Sequence, residues 1–491
     1  MANPHTDLFD YTSGRWMYND ALRHAERRLV FDVEELRRLA AQSVGLSPAD
    51  VVDLSKLAEG RFNRTFLITS RDNFQMVARI PYPATVPKYY AVASKWPQWS
   101  SSVDLGCLFL RCTKLSDVWL ELGKSDIISI LRRLVQLESQ MMTVPFPAGG
   151  SLYYTRDLEK ATGTAAIPLK DGCFCVGPAT RLPMWFGRRS QLDVDRGPYE
   201  SAEAALVTPA RKELAYLEKF GRPLLPFRRE RREGYQYQEQ SPSAHIENLK
   251  RYLLIAPSLV PEDSALGHFC IRHPDLQPSN IVVRRSSDSG WQVVSLLDWQ
   301  HASILPLFLL ARVPQRIQNH DDPVSQYMTP PSLPENFDEL GETDTEECNK
   351  PHYAALSDHM CVLRSRLFNH ASDPWEGETF ELKVALIRAT ERWETLTGGS
   401  APCPLVFDAG DVRETMELNE AQRKADETFH MCQNLLGLAP EGWMPIEESE
   451  AKVALCKQMK EIAVIEAMPE EERVELMGHW PWDDMDEGKH M

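Results

Sequence analysis

Three side chains between residues 268 and 302 have the types and spacing for phosphoryl-transfer chemistry: Asp275, Asn280 and Asp298. The spacing His273-x-Asp275-x-x-x-x-Asn280 matches a catalytic loop in which the aspartate accepts the proton of a hydroxyl and the asparagine holds a metal ion. Asp298 follows an apolar run, where a strand end would present a second metal-binding carboxylate rigidly. Magnesium suits this pair because it prefers oxygen ligands and retains water molecules.

Two short strands must position these groups. Residues 281–283 and 293–297 are mostly apolar, with β-branched side chains at 281–283 and 293–294. The Ser-Ser-Asp-Ser-Gly sequence between them favours a turn, so we predict a hairpin. A plainer interpretation treats His-Pro-Asp as a turn, Asn280 as its cap and Asp298 as an ordinary strand-end acid. Each residue alone fits that interpretation, but their joint spacing favours a phosphotransferase-type site. We expect His273 to support the loop backbone, and Gln300 and His301 to support the metal-binding aspartate.

A second candidate element is the turn of Gly60, Arg61, Phe62 and Asn63. It lies between two stretches with strand character, residues 54–59 and 64–69, and a third follows at residues 75–81. An exposed turn presents backbone N–H groups that could donate hydrogen bonds to phosphate. This pattern predicts a small antiparallel sheet whose first turn covers the phosphates of a nucleotide.

The sequence resembles the aminoglycoside phosphotransferase and choline kinase group of kinase-like proteins in two stretches, His273-Pro-Asp-Leu-Gln-Pro-Ser-Asn-Ile281 and Leu296-Leu-Asp-Trp-Gln300. Trp299 stands where protein kinases carry Phe-Gly, which favours this group over protein kinases. Three further stretches narrow the resemblance to fungal proteins of the altered-inheritance-of-mitochondria type: Phe9-Asp-Tyr-Thr-Ser-Gly-Arg-Trp16, Phe62-Asn-Arg64 and Ala78-Arg-Ile-Pro81. The resemblance covers residues 8–320 and weakens beyond them.

The resemblance implies roles for these residues. Asp275 would orient the acceptor hydroxyl and accept its proton, and Asn280 and Asp298 would hold Mg²⁺ on ATP. The turn that begins at Gly60 would bind the phosphates. Arg79 stands where protein kinases carry a strand lysine, and its guanidinium could contact phosphate through two donors. The alternative for Arg79 is a surface cation on an edge strand.

Residues 83–116 depart from the family pattern. The family places here a helix whose glutamate pairs with the strand cation, followed by the segment that holds adenine. No glutamate lies between Arg79 and Glu121, and Pro97 would interrupt such a helix. The segment is therefore expected to be a shortened part of the small lobe.

Charge and cysteine content limit the classes of partner and location. The net charge of −17 argues against nonspecific nucleic-acid binding, and residues 441–491 carry 14 acidic and 5 basic side chains, a net of −9. The ten cysteines show no paired C-x-x-C spacing, so we expect reduced thiols in an intracellular protein. No apolar run is long enough to span a membrane, and the N-terminus lacks a signal or transit pattern. Cytoplasm is the location expected from the sequence, whereas the resemblance implies mitochondria.

These observations predict an α+β chain with the protein kinase-like two-lobed fold, in which a small antiparallel β lobe precedes a large, mainly helical lobe. The predicted parts are an N-terminal helical arm (1–49), a shortened nucleotide-binding small lobe (50–116), a large lobe with the catalytic loop (117–440) and an acidic C-terminal tail of low order (441–491). The expected activity is transfer of the ATP γ-phosphate to a hydroxyl of a small molecule. The alternative is a kinase-like scaffold with weak or no activity. A loop-rich segment, residues 145–198, carries Arg181, Arg188, Arg189 and Trp185, which would bind an anionic substrate or lie in a solvated loop.

Overall fold

A computed structural model describes residues 6–87, 89–90, 112–162, 166–286, 290–310, 359–399, 401–466 and 470–491. Helices and short antiparallel sheets together make an α+β structure, as the sequence predicts. The helices are α1 (Thr6–Phe9), α2 (Asp20–Arg27), α3 (Val33–Ser43), α4 (Leu115–Val118), α5 (Lys124–Met142), α6 (Thr155–Thr162), α7 (Ala202–Phe220), α8 (Pro242–Ile255), α9 (Ser264–Gly267), α10 (His359–Ser372), α11 (Phe380–Glu391), α12 (Trp393–Thr397), α13 (Ala409–Leu435), α14 (Ser449–Glu466) and α15 (Glu470–Gly478). The strands are β1 (Gly14–Trp16), β2 (Val51–Glu59), β3 (Asn63–Ser70), β4 (Gln75–Pro81), β5 (Cys112–Lys114), β6 (Ser151–Tyr154), β7 (Ile167–Pro168), β8 (Phe174–Gly177), β9 (Phe269–Arg272), β10 (Ile281–Ser286), β11 (Gly290–Leu296), β12 (Ser303–Pro306) and β13 (Trp443–Pro445).

The N-terminal sheet has the antiparallel order β2-β3-β4 that the sequence predicts. Side chains alternate along β3, and its inward members Phe66 and Ile68 are fully buried. They pack against Phe9 of α1 and Val33 of α3, which removes apolar surface from water. The N-terminal arm therefore lies against this sheet.

Strands β10 and β11 follow the predicted catalytic loop. Together with β5 they form a second sheet, in the order β11-β10-β5. Ile281 of β10 is paired with Leu296 of β11, so the predicted hairpin is confirmed, although residues 287–289 of its turn lie outside the described part. Ile281 and Val283 are buried against Leu134 of α5. Strand β9, which precedes the loop, pairs with β12. The loop is thus held at both ends by paired strands.

Helices α7, α8, α10 and α11 enclose the largest apolar core, in which Tyr252, Phe308 and Leu386 are fully buried. The sequence predicts helices at residues 33–43 and 242–255, and α3 and α8 have these bounds. The sequence predicts one helix over residues 378–397, where the structure has two, α11 and α12. The sequence predicts a helix over residues 419–436, but α13 already starts at Ala409. Asp408 caps it there, accepting hydrogen bonds from the N–H groups of Gly410 and Asp411.

The expectation of low order in the acidic segment 441–491 is wrong. Strand β13 pairs antiparallel with β1 of the N-terminal arm, and Trp480 and Trp482 are buried in a C-terminal core. Gly14 allows the two strands to approach, because a Cβ there would lie 2.5 Å from the Met444 carbonyl oxygen. The net negative charge of the segment did not prevent folding, since its tryptophans supply the apolar surface and basic residues elsewhere bind its polar groups.

The arginine-rich run at residues 228–233 is one source of those basic groups. Its mixed charges predict a solvated helical face, and this prediction is wrong. Arg229 donates hydrogen bonds to the carbonyl oxygens of Trp480 (2.6 Å) and Asp484 (2.7 Å). Arg231 is 3% exposed and forms ion pairs with Glu378 and Asp426, both at 2.7 Å. Buried arginines require such partners, and these come from distant parts of the chain.

None of the described helices combines the length and the apolar character that crossing a bilayer requires. The described cysteines are all free thiols. Most of the segment predicted to be shortened, residues 91–111, lies outside the described residues, so the shortening and the boundaries of the predicted parts stay predictions.

Candidate functional site

The predicted catalytic loop connects β9 to the 3₁₀ turn Pro278–Asn280 that precedes β10. His273 is 3% exposed, and its Nε2–H donates to the Leu297 carbonyl oxygen at 2.8 Å. Its Nδ1 accepts the backbone N–H of Asp275 at 3.1 Å. Burial lowers the pKa of His273, which agrees with a neutral ring whose two nitrogens are both used. The predicted supporting role of His273 is therefore confirmed.

Asp275 and Asn280 are adjacent within this loop. Asn280 Nδ2 donates to the Asp275 carbonyl oxygen (3.0 Å) and to its Oδ2 (3.2 Å), and Gln277 Nε2 donates to the same Oδ2 at 2.7 Å. Within the described part of the chain, Asp275 Oδ1 accepts no hydrogen bond. The aspartate is exposed, so Oδ1 can receive a proton, and the amide of Asn280 is turned so that its Oδ1 stays available to a cation.

Asp298 lies two residues beyond the end of β11, with a left-handed backbone (φ 64°). This conformation costs a residue other than glycine about 1 kcal/mol or more, so the surrounding structure must hold it. Trp299 contributes, because its Nε1–H donates to the Leu296 carbonyl oxygen at 3.1 Å and its ring packs edge-on against His273 at 4.6 Å. Asp298 Oδ1 accepts a hydrogen bond from Arg79 Nη2 at 2.7 Å. The predicted metal ligand and the predicted phosphate contact therefore form an ion pair.

The turn at residues 60–63 is a tight connection between β2 and β3. The Gly60 N–H donates to the Asn63 carbonyl oxygen at 2.9 Å, so it is used inside the turn and is not free for phosphate. The Phe62 carbonyl oxygen accepts from the Tyr82 N–H (3.0 Å) and from Thr85 Oγ1 (2.6 Å). No hydrogen bond from the N–H of Arg61 or Phe62 occurs among the described residues. Those two amides are the ones that could bind a phosphate oxygen.

A chain of hydrogen bonds connects this turn to the segment after Asp298. Asn63 Nδ2 donates to Gln300 Oε1 at 2.5 Å, and Gln300 Nε2 lies 3.2 Å from His301 Nε2. His301 Nδ1 donates to the Thr180 carbonyl oxygen at 2.8 Å, which leaves Nε2 to accept from Gln300. Burial lowers the pKa of His301, in agreement with this neutral ring. Gln300 and His301 thus position the turn relative to Asp298.

A cavity of about 960 Å³ brings most of the predicted residues together. Its lining includes Asp275, Asn280, Asp298, Gly60, Arg61 and Phe62. Asn63 and Arg79 do not line it. The Asn63 side chain is buried, and Arg79 contacts the site only by its hydrogen bond to Asp298. The two halves of the predicted site therefore face one space.

The sequence motifs do not indicate a further wall of this cavity. Tyr11, Trp16 and Arg27 of the N-terminal arm line it together with Glu441 and Trp443 of the C-terminal segment. The aromatic entry to the arm was visible in the sequence, but its contact with residues more than 400 positions away was not. The ion pair between Arg61 and Glu441 joins this wall to the turn at residues 60–63.

The arginines of the segment 145–198 do not line the cavity. Arg189 is fully buried and donates from Nε to Glu213 Oε2 at 2.6 Å. Arg181 Cζ lies 4.5 Å from the centre of the Phe368 ring, and its Nη2 is 3.3 Å from Asn369 Oδ1. These two side chains hold the helical core together, so the expectation that they bind an anionic substrate or lie in a solvated loop is wrong.

Across the described residues, no group of three or more His, Cys, Asp or Glu side chains is arranged to hold a metal ion. The predicted magnesium ligands number only two, Asn280 and Asp298. Such a pair suits Mg²⁺ held mainly by phosphate oxygens and water, which supply the remaining oxygen ligands. Asn280 Oδ1 and Asp298 Oδ2 accept no hydrogen bond among the described residues, so the donor set fits this cation.

Comparison with solved structures found a macrolide 2'-phosphotransferase from Brachybacterium faecium and a choline kinase from Cryptosporidium parvum. The first has a TM-score of 0.22 and 13% identity, and covers 77% of this chain and 100% of its own. The second has a TM-score of 0.20 and 8% identity, with coverages of 81% and 97%.

Sequence comparison found fungal relatives, while no protein-family model matches the chain. A subtelomeric hrmA-associated cluster protein of Aspergillus fumigatus is 26% identical over 516 residues, covering 89% of this chain and 97% of the relative. Altered inheritance of mitochondria protein 9 of Yarrowia lipolytica is 23% identical, over 63% of this chain and 60% of the relative. The corresponding protein of Clavispora lusitaniae is 22% identical, over 62% of each. The chain therefore resembles fungal proteins of the altered-inheritance-of-mitochondria type, as its sequence motifs predict.

Proposed function

We propose that this protein is an ATP-dependent kinase that transfers the γ-phosphate to a hydroxyl of a small molecule. The observation that carries the proposal is the shared cavity, in which Asp275, Asn280 and Asp298 face the turn formed by Gly60 and its neighbours. Phosphoryl transfer requires positioning and charge neutralisation rather than covalent catalysis, and this set supplies both. In this proposal the sheet β2-β3-β4 belongs to a small nucleotide lobe, and the helical core belongs to a large lobe.

Each residue has a distinct role in this proposal. Asp275 Oδ1 accepts the proton of the acceptor hydroxyl, while Gln277 and Asn280 keep the carboxylate oriented through Oδ2. Asn280 Oδ1 and the Asp298 carboxylate would hold Mg²⁺, which neutralises charge on the transferred phosphate when it is bound. The N–H groups of Arg61 and Phe62 donate to phosphate oxygens, and Arg79 moves from Asp298 toward phosphate. Its guanidinium has two parallel donors, so it can bind either the Asp298 carboxylate or a phosphate.

Nucleotide binding tests the proposal first. A ligand that binds only the folded state raises its stability, so the melting temperature of the wild type should increase with ATP and Mg²⁺. Asp298→Asn should lose most of this increase, while Asp275→Asn should retain it, because Asp275 is placed toward the acceptor. If ATP and Mg²⁺ leave the wild-type melting temperature unchanged, the nucleotide site is not functional.

The second candidate is a kinase-like scaffold without activity. The ion pair between Arg79 and Asp298 favours it, because this pair occupies a carboxylate that the metal requires. The sequence between Arg79 and Glu121 also lacks the glutamate that would otherwise pair with the arginine. An unchanged melting temperature in the preceding experiment would support this candidate.

A mitochondrial location is part of the proposal, and the names of the relatives support it. The proteins from Yarrowia lipolytica and Clavispora lusitaniae are named as mitochondrial. A fluorescent protein fused after residue 491 would test it, with exclusive cytoplasmic fluorescence as the contrary result.

A further inference from the structure

One wall of the cavity is built by the two ends of the chain. We call it the terminal wall, formed by Tyr11, Trp16, Arg27 and Trp443. Trp443 Nε1–H donates to the Tyr11 hydroxyl at 2.9 Å, and the rings of Tyr11 and Trp16 are 5.0 Å apart. The pairing of β1 with β13 places Trp16 opposite Trp443. The terminal wall is therefore an ordered surface facing the same space as Asp275.

Arg27 is the charged group of this wall, and its polar contacts with neighbouring residues are long. Its residue is 7% exposed, and its guanidinium lies 4.5 Å from the centre of the Trp16 ring. Nη1 makes one long hydrogen bond, 3.4 Å to the Arg23 carbonyl oxygen, and is 3.6 Å from Glu26 Oε2. That Glu26 oxygen is already bound by Arg23 Nη1 at 2.9 Å. Among the described residues the guanidinium has no further hydrogen bond.

Other charged side chains of the cavity are already neutralised, except Asp275. The ion pairs are Arg272 with Glu138, Arg61 with Glu441, Asp298 with Arg79 and Glu59 with Arg64. Burial lowers the pKa of Arg27. Glu441 acts in the opposite direction, but its carboxylate is engaged by Arg61. A buried cation costs free energy unless an anion and hydrogen-bond acceptors compensate it. Arg27 thus faces the cavity with its charge incompletely compensated.

We infer that the terminal wall is a subsite for an oxyanion, a carboxylate or a phosphate, carried by the hydroxyl acceptor. This inference rests on the proposed function for the identity of the ligand as an acceptor. The guanidinium of Arg27 binds the oxyanion through paired N–H donors, and Tyr11 and Trp443 pack against the apolar part of the molecule. A cationic acceptor is disfavoured, because Arg27 repels it and covers the face of Trp16 that would attract it.

Calorimetric titration with four hexoses of different charge tests the inference. The probes are glucuronate, glucose 6-phosphate, glucose and glucosamine, and no nucleotide is present. At least one of the two acids should bind about tenfold tighter than glucose, as expected for a charge-assisted hydrogen bond, and glucosamine should bind most weakly. Tighter binding of glucuronate would indicate a carboxylate site, and tighter binding of glucose 6-phosphate would indicate a phosphate site. If neither acid binds tighter than glucose, the subsite does not exist.

Three variants assign the preference to Arg27. Arg27→Gln should remove it and Arg27→Lys should retain most of it, because the lysine keeps the charge. Arg28→Gln is the matched control, since this neighbouring arginine is 65% exposed and pairs with Asp10 at the surface. The melting temperature of each variant is measured to identify any that does not fold. The comparison of the four probes on the wild-type protein does not depend on any variant. An acid preference that survives in folded Arg27→Gln overturns the inference.

Experiments with the same two acids distinguish a failure of this inference from a failure of the proposed function. Arg27-dependent binding of an acid without phosphate transfer to any hydroxyl contradicts the kinase proposal and leaves the subsite intact. Phosphorylation of neutral hexoses with no preference for the acids contradicts the subsite and leaves the kinase proposal intact.

Discussion

Arg79 of β4 and Asp298 beyond β11 form an ion pair in which Nη2 and Oδ1 are 2.7 Å apart. The two side chains are 36% and 37% exposed, so the pair should contribute less than about 1 kcal/mol to folding. Its importance is positional: it connects the N-terminal sheet to the hairpin that follows the predicted catalytic loop. In the proposed function, nucleotide and metal must break this pair.

The first prediction concerns Arg79. Arg79→Ala should leave the melting temperature of the free protein nearly unchanged, because the pair is half-exposed. It should weaken the stabilisation by ATP and Mg²⁺, with affinity lower by about tenfold, since a charge-assisted contact to phosphate is lost. Arg79→Lys should retain part of that affinity. An equal ATP-dependent increase in melting temperature for Arg79→Ala and wild type would remove Arg79 from the phosphate site.

The second prediction concerns His273. His273→Ala removes one hydrogen bond to the Leu297 carbonyl oxygen and one from the Asp275 N–H, and leaves both backbone groups without their partner. We expect a loss of about 1–3 kcal/mol of unfolding free energy, measured by urea denaturation. His430→Ala is the control, because this histidine is exposed and bonds only within its own helix. A loss no larger than that of His430→Ala would contradict the supporting role.

The third prediction concerns the contact between the chain ends. Gly14→Ala should separate β1 from β13, because the added Cβ would lie 2.5 Å from the Met444 carbonyl oxygen and 2.6 Å from the Trp443 ring. We expect faster proteolysis within residues 440–491 and a stability loss of about 1–3 kcal/mol. Gly267→Ala is the matched control, since no atom lies within 4 Å of its Cβ position. Equal proteolysis of the two variants would show that the strand pairing does not hold the C-terminal segment.

The fourth prediction concerns pH. Glu376 lines a second cavity of about 200 Å³, and burial raises its pKa from 4.5 to about 7, with Arg228 and Arg189 acting in the opposite direction. Between these two pKa values the folded protein binds more protons than the unfolded chain at this site. The contribution of Glu376 to stability is therefore present below pH 4.5 and is lost as the pH rises through 7.

Glu376→Gln stays neutral and should remove this loss. The melting temperature of the variant relative to wild type should rise between pH 5 and pH 8, by an amount that corresponds to about 2–3 kcal/mol. Glu239→Gln changes the same charge at an exposed position and serves as the control. A difference between Glu376→Gln and wild type that does not vary with pH would contradict the assignment.

Local sequence was sufficient for one half of the site. Asp275, Asn280 and Asp298 belong to one loop and one hairpin, so their spacing and the strand pattern predicted their proximity. The donors of the turn at residues 60–63 were predicted less well, because the engagement of the Gly60 N–H by Asn63 depends on the turn geometry and not on composition.

The other half of the site could not be predicted in this way. Tyr11 and Trp443 are 432 positions apart and meet only because β1 pairs with β13. The acidic composition of residues 441–491 favoured a disordered tail, yet Arg229 binds two of its carbonyl groups and its tryptophans form a core. A charge count cannot identify partners that come from distant helices.

Phosphate transfer from ATP to a hydroxyl is the reaction that the proposed function requires. Wild type and Asp275→Asn would be incubated with ATP, Mg²⁺ and a panel of acidic and neutral hydroxyl compounds, and the products measured by mass spectrometry. We predict a phosphorylated product with wild type and a rate at least about a hundredfold lower with Asp275→Asn, which should still be stabilised by ATP and Mg²⁺. The absence of product with wild type would contradict the proposed kinase activity. An equal rate with Asp275→Asn would contradict the proposed role of Asp275.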